Sequence, residues 1–286
     1  MPGEEDAHVD IDSERVHRAL SALADRSPLV HHLTNAVTTS ETANITLHWG
    51  GLPVMADAAA EAADMAAGAD AVLLNTGTAS RDDIDTMIDA GKSANEVGSP
   101  VVLDPVGYGA TPHRVESVGR ILDAVDVDVI KGNVGEIRGL AGEEAVVRGV
   151  ESMDVGEAAG EAARALAVEH DAAVIASGPV DVVSDGEVVY RVTAGHERMG
   201  TFVGSGCMLG STAATFATLA CGDAPTVGTL TETILIATVA FGVAGERAAA
   251  NDPPGPASYR TAFMDAVATI GAEPSGIDPS GRIDVE

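Results

Sequence analysis

Only two cysteines, Cys207 and Cys221, occur in the 286 residues. That excludes a disulfide framework, and their positions offer no zinc spacing. Lysine is as rare, with Lys92 and Lys131 alone. Aromatic residues make up 3% of the chain, so a core must be built from Ala, Val, Leu and Ile. No Pro/Gly/Ser linker interrupts the middle, and no fixed-period repeat is present. The longest strongly apolar run, Ile234 to Gly245, reads as too short to span a bilayer. The first residues, Met1 to Glu14, are acidic without an apolar core, which reads as no signal peptide. The expectation is a cytoplasmic protein.

Acid, by contrast, is abundant. Against 16 Lys+Arg stand 44 Asp+Glu, a net charge of −28. The acids are scattered through folded-looking segments. Such a surface repels nucleic acid and anionic membranes, so neither is expected as a partner. Phosphate is repelled too, and a nucleotide site then needs local cations or a metal. Acid excess with so little lysine reads as a halophilic protein, whose charges are screened by a salt-rich cytoplasm.

Short all-apolar segments alternate with helical patterns. Strands are expected at 28–32, 71–74, 100–103, 127–130 and 172–176, and helices at 13–25, 58–67, 81–97, 115–124 and 155–169. Segments 180–184 and 187–192 pair as a hairpin across Asp185-Gly186. Three helices follow, beginning near Gly206, Thr226 and Ala257. This is an α/β pattern, with a mostly parallel central sheet covered by helices on both faces. Residues 1–12 are expected as a disordered acidic arm, 13–270 as one domain and 271–286 as a loose tail.

Open α/β sheets bind ligands beyond the carboxyl ends of their strands. Those ends here carry Asn35, Met55, Asn75, Asp104, Lys131, Asn133, Glu136 and Ser177. Asp104 suits a hydrated Mg²⁺, shared with Glu136, or else caps the turn at Pro105. Glu136, three residues after Asn133 at a helix opening, equally suits a capping role. Lys131, in so acidic a chain, is placed to meet phosphate. The adjacent His31 and His32 read as structural. The stretch Met199 to Gly210, M-G-T-F-V-G-S-G-C-M-L-G, puts a glycine turn at a helix start. Its free amides can hold an anion, with Cys207 beside it in the first helical turn.

The ordered motifs resemble those of the hydroxyethylthiazole kinases, in the ribokinase-like superfamily. They are S-P-L-V-H at Ser27, T-N-A-V-T at Thr34, P-V-M-A at Pro53, N-T-G-T at Asn75 and G-K-S-A-N-E at Gly91. D-P-V-G-Y-G-A-T-P at Asp104, K-G-N-V-G-E-I at Lys131 and G-S-G-C at Gly204 complete the set. The resemblance implies a ribokinase-like three-layer fold. It implies ATP-dependent phosphorylation of 4-methyl-5-(2-hydroxyethyl)thiazole in thiamine salvage, with Mg²⁺. It assigns Asn35, Met55 and Gly204 to the thiazole, Lys131, Ser177 and Gly206 to the nucleotide, Asp104 and Glu136 to the metal, and Cys207 to catalysis. Lys131 stands where the family usually has arginine, and Ser177 where it has threonine. A homotrimer with active sites at subunit boundaries is implied as well.

Three other readings compete. One is a sister kinase acting on a hydroxymethylpyrimidine. Another is a nucleotide-dependent hydro-lyase, for which aspartate is expected at position 207. The third is a non-catalytic nucleotide sensor. The charge gives an expectation independent of them all. Diluting the protein from multimolar to low KCl should lower its melting temperature or dissociate it, through self-repulsion. A melting temperature that ignores salt would remove the halophilic reading.

Overall fold

A computed structural model describes residues 11–142, 155–221, 227–274 and 276–286. The apolar segments form one nine-stranded sheet. Its strands are β1 (Leu29–Leu33), β2 (Leu52–Val54), β3 (Ala71–Asn75), β4 (Val101–Asp104), β5 (Val129–Asn133), β6 (Ala173–Ser177), β7 (Asp181–Ser184), β8 (Val189–Val192) and β9 (Ile283–Val285). The order is β2-β1-β3-β4-β5-β6-β7-β8-β9. The first six are parallel, and β7 to β9 add an antiparallel edge.

Ten α-helices are present among the described residues: α1 (Ser13–Arg26), α2 (Thr39–His48), α3 (Ala62–Ala67), α4 (Arg81–Val97), α5 (Pro112–Leu122), α6 (Val134–Leu140), α7 (Val155–His170), α8 (Ser205–Ala217), α9 (Leu230–Ala250) and α10 (Pro256–Ala272). The period-two pleat divides the core into two layers. Ala71 and Leu73 of β3 point to one side, with α1, α2, α8, α9 and α10. Val72 and Leu74 point to the other, with α3 to α7. Helices therefore cover both faces, as the all-apolar strands require.

Several helix limits follow from their caps. Ser80 and Asp83 form a reciprocal capping box that starts α4, and Gly98 ends it in the left-handed region. Thr229 with Glu232 starts α9 in the same way. Of α8's neighbours on its side of the sheet, Trp49 is the largest buried side chain, and its indole N–H donates to Thr212 Oγ1 at 2.9 Å.

The structure corrects three expectations. Residues 1–10 of the acidic arm lie outside the described residues, but Ile11 is buried and Asp12 caps α1, so both belong to the folded body. The segment 271–286 is no loose tail. Ile277 is buried, Arg282 makes a two-point salt bridge to Glu246, and β9 pairs with β8 from Tyr190 to Val192. Third, Ile234 to Gly245 is the middle of α9, whose 21 residues are long and apolar enough to cross a bilayer. Within the protein, 78% of that apolar window is buried, so α9 is the central helix of one core layer.

Candidate active site

Strand order reverses between β1 and β3, since β1 leads back to β2 on one side and β3 leads on to β4 on the other. Such a switch point opens a crevice at the carboxyl ends of the strands. Parallel register sets Asn75, the last residue of β3, directly beside Asp104, the last of β4. Asn133 of β5 lies beside Ser177 of β6 in the same way. Lys131, two residues before the end of β5, reaches toward Asp104. Helix α8 then comes down over these ends.

A cleft of about 350 Å³ opens there, lined by Asn35, Asp104, Lys131, Glu136, Ser177, Gly204, Gly206 and Cys207 among others. Eight of the nine site residues expected from sequence thus meet in one place. Met55 does not line this cleft; it follows the edge strand β2 and is half-buried. A second cleft of about 540 Å³ is more apolar and includes Ala194, Met199, Leu209 and Phe241. Ser177 and Gly206 line both, so the two clefts share a wall at the start of α8.

At the base of the small cleft, Lys131 Nζ donates to Asp104 Oδ1 at 3.3 Å, with only 3% and 0% of the two side chains exposed. Burial lifts the Asp104 carboxyl to about 6 against the pull of the ammonium, and Glu136 adds to the rise. Burial works against the Lys131 charge, but Asp104, Glu136 and Cys207 outweigh it and its pKa rises. The other Asp104 oxygen accepts from Asn75 Nδ2 at 2.8 Å. Asn75 Oδ1 accepts from Asn35 Nδ2 at 2.9 Å and from the Gly77 N–H at 3.1 Å. Asn35 Nδ2 also donates to Cys207 Sγ at 3.4 Å. A continuous buried chain thus runs Lys131–Asp104–Asn75–Asn35–Cys207. The Asp104 side chain turns into this chain and leaves the turn at Pro105 to backbone bonds.

Glu136 takes the capping role and a second contact besides. Its Oε2 accepts from the Asn133 N–H at 2.8 Å, completing a capping box at α6. Its Oε1 accepts from the Gly107 N–H at 2.6 Å, which ties down the loop after β4. Both carboxylates therefore keep only their second lone pairs for a metal, and those suit the waters of a hydrated cation rather than direct ligation. Two carboxylates against one ammonium leave this corner favourable to a cation. Among the described residues, no three His, Cys, Asp or Glu side chains gather as a metal cluster.

Helix α8 begins at Gly204, whose φ of +98° is a left-handed conformation open to glycine. No side chain caps this helix, unlike α4, α6 and α9. Its first amides are free to meet an anion at the common wall of the two clefts. Cys207 is half-buried in this first turn. Close packing here needs glycine: a Cβ on Gly206 would lie 3.2 Å from Lys131 Nζ, and one on Gly210 3.2 Å from Asp104 Oδ2.

His32 is structural, as expected, and His31 Nε2 donates to the Ala56 carbonyl at 2.7 Å. His32 Nδ1 donates to the Val30 carbonyl at 3.0 Å, so its Nε2 accepts from Thr46 Oγ1 at 3.1 Å. Burial drives its pKa down to about 4, so the ring is neutral. Two polar residues were not singled out by sequence. Arg114 donates to the Gly77 and Val106 carbonyls and joins the loops after β3 and β4. Asp181 lines the larger cleft, accepts from the Gly178 N–H at 2.9 Å, and is lifted by burial to about 6. Its only sequence signal was its place just after S-G-P at a strand end.

The model of the hydroxyethylthiazole kinase family matches residues 20–273. The chain belongs to the hydroxyethylthiazole kinase family. It is 49% identical to the hydroxyethylthiazole kinase of Natronomonas pharaonis, over 93% of this chain and 94% of that one. Identity to that of Thermoanaerobacter sp. is 44%, over 93% and 98%. A solved hydroxyethylthiazole kinase protein from Pyrococcus horikoshii superposes with a TM-score of 0.82 at 35% identity, covering 96% of this chain and 99% of that one. A ribokinase-like superfamily protein from Enterococcus faecalis shares the fold at a TM-score of 0.64 and 11% identity, covering 94% and 99%. The three-layer fold is thus ribokinase-like, and membership of this kinase family makes the chain an ATP-using phosphotransferase.

The buried pair gives a test by pH. The folded protein holds the Asp104 proton more tightly than the unfolded chain does. The contribution of Asp104 is therefore greatest in acid and is lost as pH rises through about 6. Lys131→Met removes the partner and strands the carboxylate. It should cost roughly 3–5 kcal/mol near neutrality, and less once acid neutralises Asp104. Urea unfolding of both proteins at mildly acidic and mildly alkaline pH measures this. An equal deficit at both would contradict the assignment.

Proposed function

We propose that this hydroxyethylthiazole kinase family member transfers the γ-phosphoryl group of ATP to the hydroxyethyl group of 4-methyl-5-(2-hydroxyethyl)thiazole, as a step of thiamine salvage. The observation that carries this reading is the joining of two clefts at the uncapped start of α8. The larger, more apolar cleft suits the nucleoside, with Ser177 and Gly206 at the phosphate end. The smaller cleft, with Asp104 and Lys131 at its base, suits the reacting alcohol, with Gly204 and Cys207 on its wall.

The chemistry is in-line transfer, dominated by positioning and charge. The alcohol oxygen bonds to the γ-phosphorus as the bond from phosphorus to the β-bridging oxygen breaks, and ADP departs. The hydroxyl proton passes to Cys207 Sγ and then to solvent. The first amides of α8 face the charge on the transferred group. Lys131 has one N–H committed to Asp104 and offers the others, with its charge, toward the phosphates. Being lysine, it lacks the two-point fork of an arginine. Mg²⁺, held through its waters by Asp104 and Glu136, would neutralise the β- and γ-phosphates.

A single domain accounts for the continuous sheet. A homotrimer with shared active sites is supported by the exposure of Val37 (62%) and Val203 (71%), both on the rim of the small cleft. A neighbouring subunit would cover them, and would explain why Met55 stands apart from this subunit's cleft. Light scattering in high salt that gave a monomer would refute it. A halophilic, cytoplasmic enzyme fits the charge of −28, and cell fractionation tests the compartment.

ADP release by purified protein in high KCl tests the function. The thiazole alcohol should stimulate release far more than hydroxymethylpyrimidine, and chelating Mg²⁺ should abolish it. Cys207→Ala should slow turnover about ten- to a thousandfold with nucleotide affinity nearly intact, whereas Cys207→Asp should stay active. Equal stimulation by the two alcohols would overturn the substrate. An unchanged kcat for Cys207→Ala would reduce the thiol to packing.

A further inference from the structure

We infer that Asn35 is a positioning residue for Cys207, an amide donor fixed on the sulfur by the buried chain behind it, rather than a ligand of the alcohol. This rests on Cys207 taking the substrate proton. The amide has two N–H bonds and an oxygen with two lone pairs. All four are committed. Asn35 Oδ1 accepts from the Val37 N–H at 3.1 Å and the Thr38 N–H at 3.2 Å. These two backbone donors fix which end of the amide is oxygen. One N–H is taken by Asn75 Oδ1 at 2.9 Å. Asn75 cannot turn over in its own right, because its oxygen also accepts from Gly77 and its nitrogen donates to Asp104. The remaining Asn35 N–H has only Cys207 Sγ to meet, at 3.4 Å.

With 5% of its surface exposed, Asn35 has little area left for a substrate. Its donor holds the sulfur in place at the cleft wall, with the N–H directed at the atom that takes the proton. The charged groups around the sulfur are Lys131 on β5, Asp104 on β4 and Glu136 on α6. Glu41 of α2 is engaged by Arg260. Strands β1 and β3 bring only the two neutral amides. Asn35 thus adds a neutral N–H donor to the sulfur alongside the charge of Lys131.

Asn35→Asp keeps the acceptor for the Val37 and Thr38 amides but turns a carboxylate oxygen toward the sulfur. Alkylation of Cys207 by iodoacetamide, followed by peptide mass mapping to exclude Cys221, reads the thiol with no substrate present. The variant should react at least fivefold more slowly at a fixed, mildly alkaline pH, with a native circular dichroism spectrum. Its kcat should fall tenfold or more while nucleotide Kd stays within twofold. In the Cys207→Ala background the same substitution should change kcat by less than twofold, because its effect passes through the thiol. If the carboxylate variant does not fold, Asn35→Ser removes the donor without adding charge, and the same slower alkylation is expected. Unchanged alkylation in the folded variant, or a full loss of kcat or rise in KM for the alcohol in the Cys207→Ala background, would overturn the inference. The alkylation result does not depend on which alcohol is the substrate, so its failure and that of the functional reading are separable.

Discussion

The site depends on a charged pair sealed beneath a helix. Lys131 and Asp104 are almost completely buried, and removing two such ions from water costs several kcal/mol each unless every remaining lone pair and proton is satisfied. The pair is tolerable because register places Asn75 against Asp104, and because α8 has no side chain at Gly206 and Gly210. These two glycines stand one turn apart on the same helix face. A side chain at either would press on the ammonium or the carboxylate. The helix can therefore lie directly on the pair, and its first turn lands beside the same charges.

That arrangement resolves the electrostatic conflict in the sequence. A chain of net charge −28 has to attract a polyanion. It does so locally, with one of its two lysines, an uncapped helix start and a corner of two carboxylates suited to a cation. Burial keeps these charges from the screening that dominates the outer surface. It also makes the polar chain from Lys131 to Cys207 costly to leave half-made, so each member fixes the next.

Much of this was legible in the sequence, because it is local. The limits of α4 follow from Ser80, Asp83 and Gly98, and the strands from runs such as A-V-L-L-N at Ala71. The gathering of Asn35, Asp104, Lys131 and Ser177 follows from one topological rule applied to strand ends. The contact between Asn35 and Cys207 was not legible. It joins positions 172 apart and depends on how closely α8 approaches the sheet, which no local pattern encodes. Strand β9 escaped for a related reason. Three residues, I-D-V, show no periodicity of their own and become a strand only when β8 offers an edge. The segment 276–286 was thus taken as loose where distant partners hold it.

The most direct measurement cuts the chain in its middle. Asn75→Leu is close in size but removes the donor to Asp104 and the acceptor for Asn35 together. Three buried polar groups, the Asp104 oxygen, an Asn35 N–H and the Gly77 N–H, are then left unpaired, each costing about 1–3 kcal/mol. Urea unfolding and steady-state kinetics on this variant should show a stability loss of that order, with kcat falling while nucleotide Kd holds. A variant as stable and as active as the parent would show that the buried chain does not organise the site.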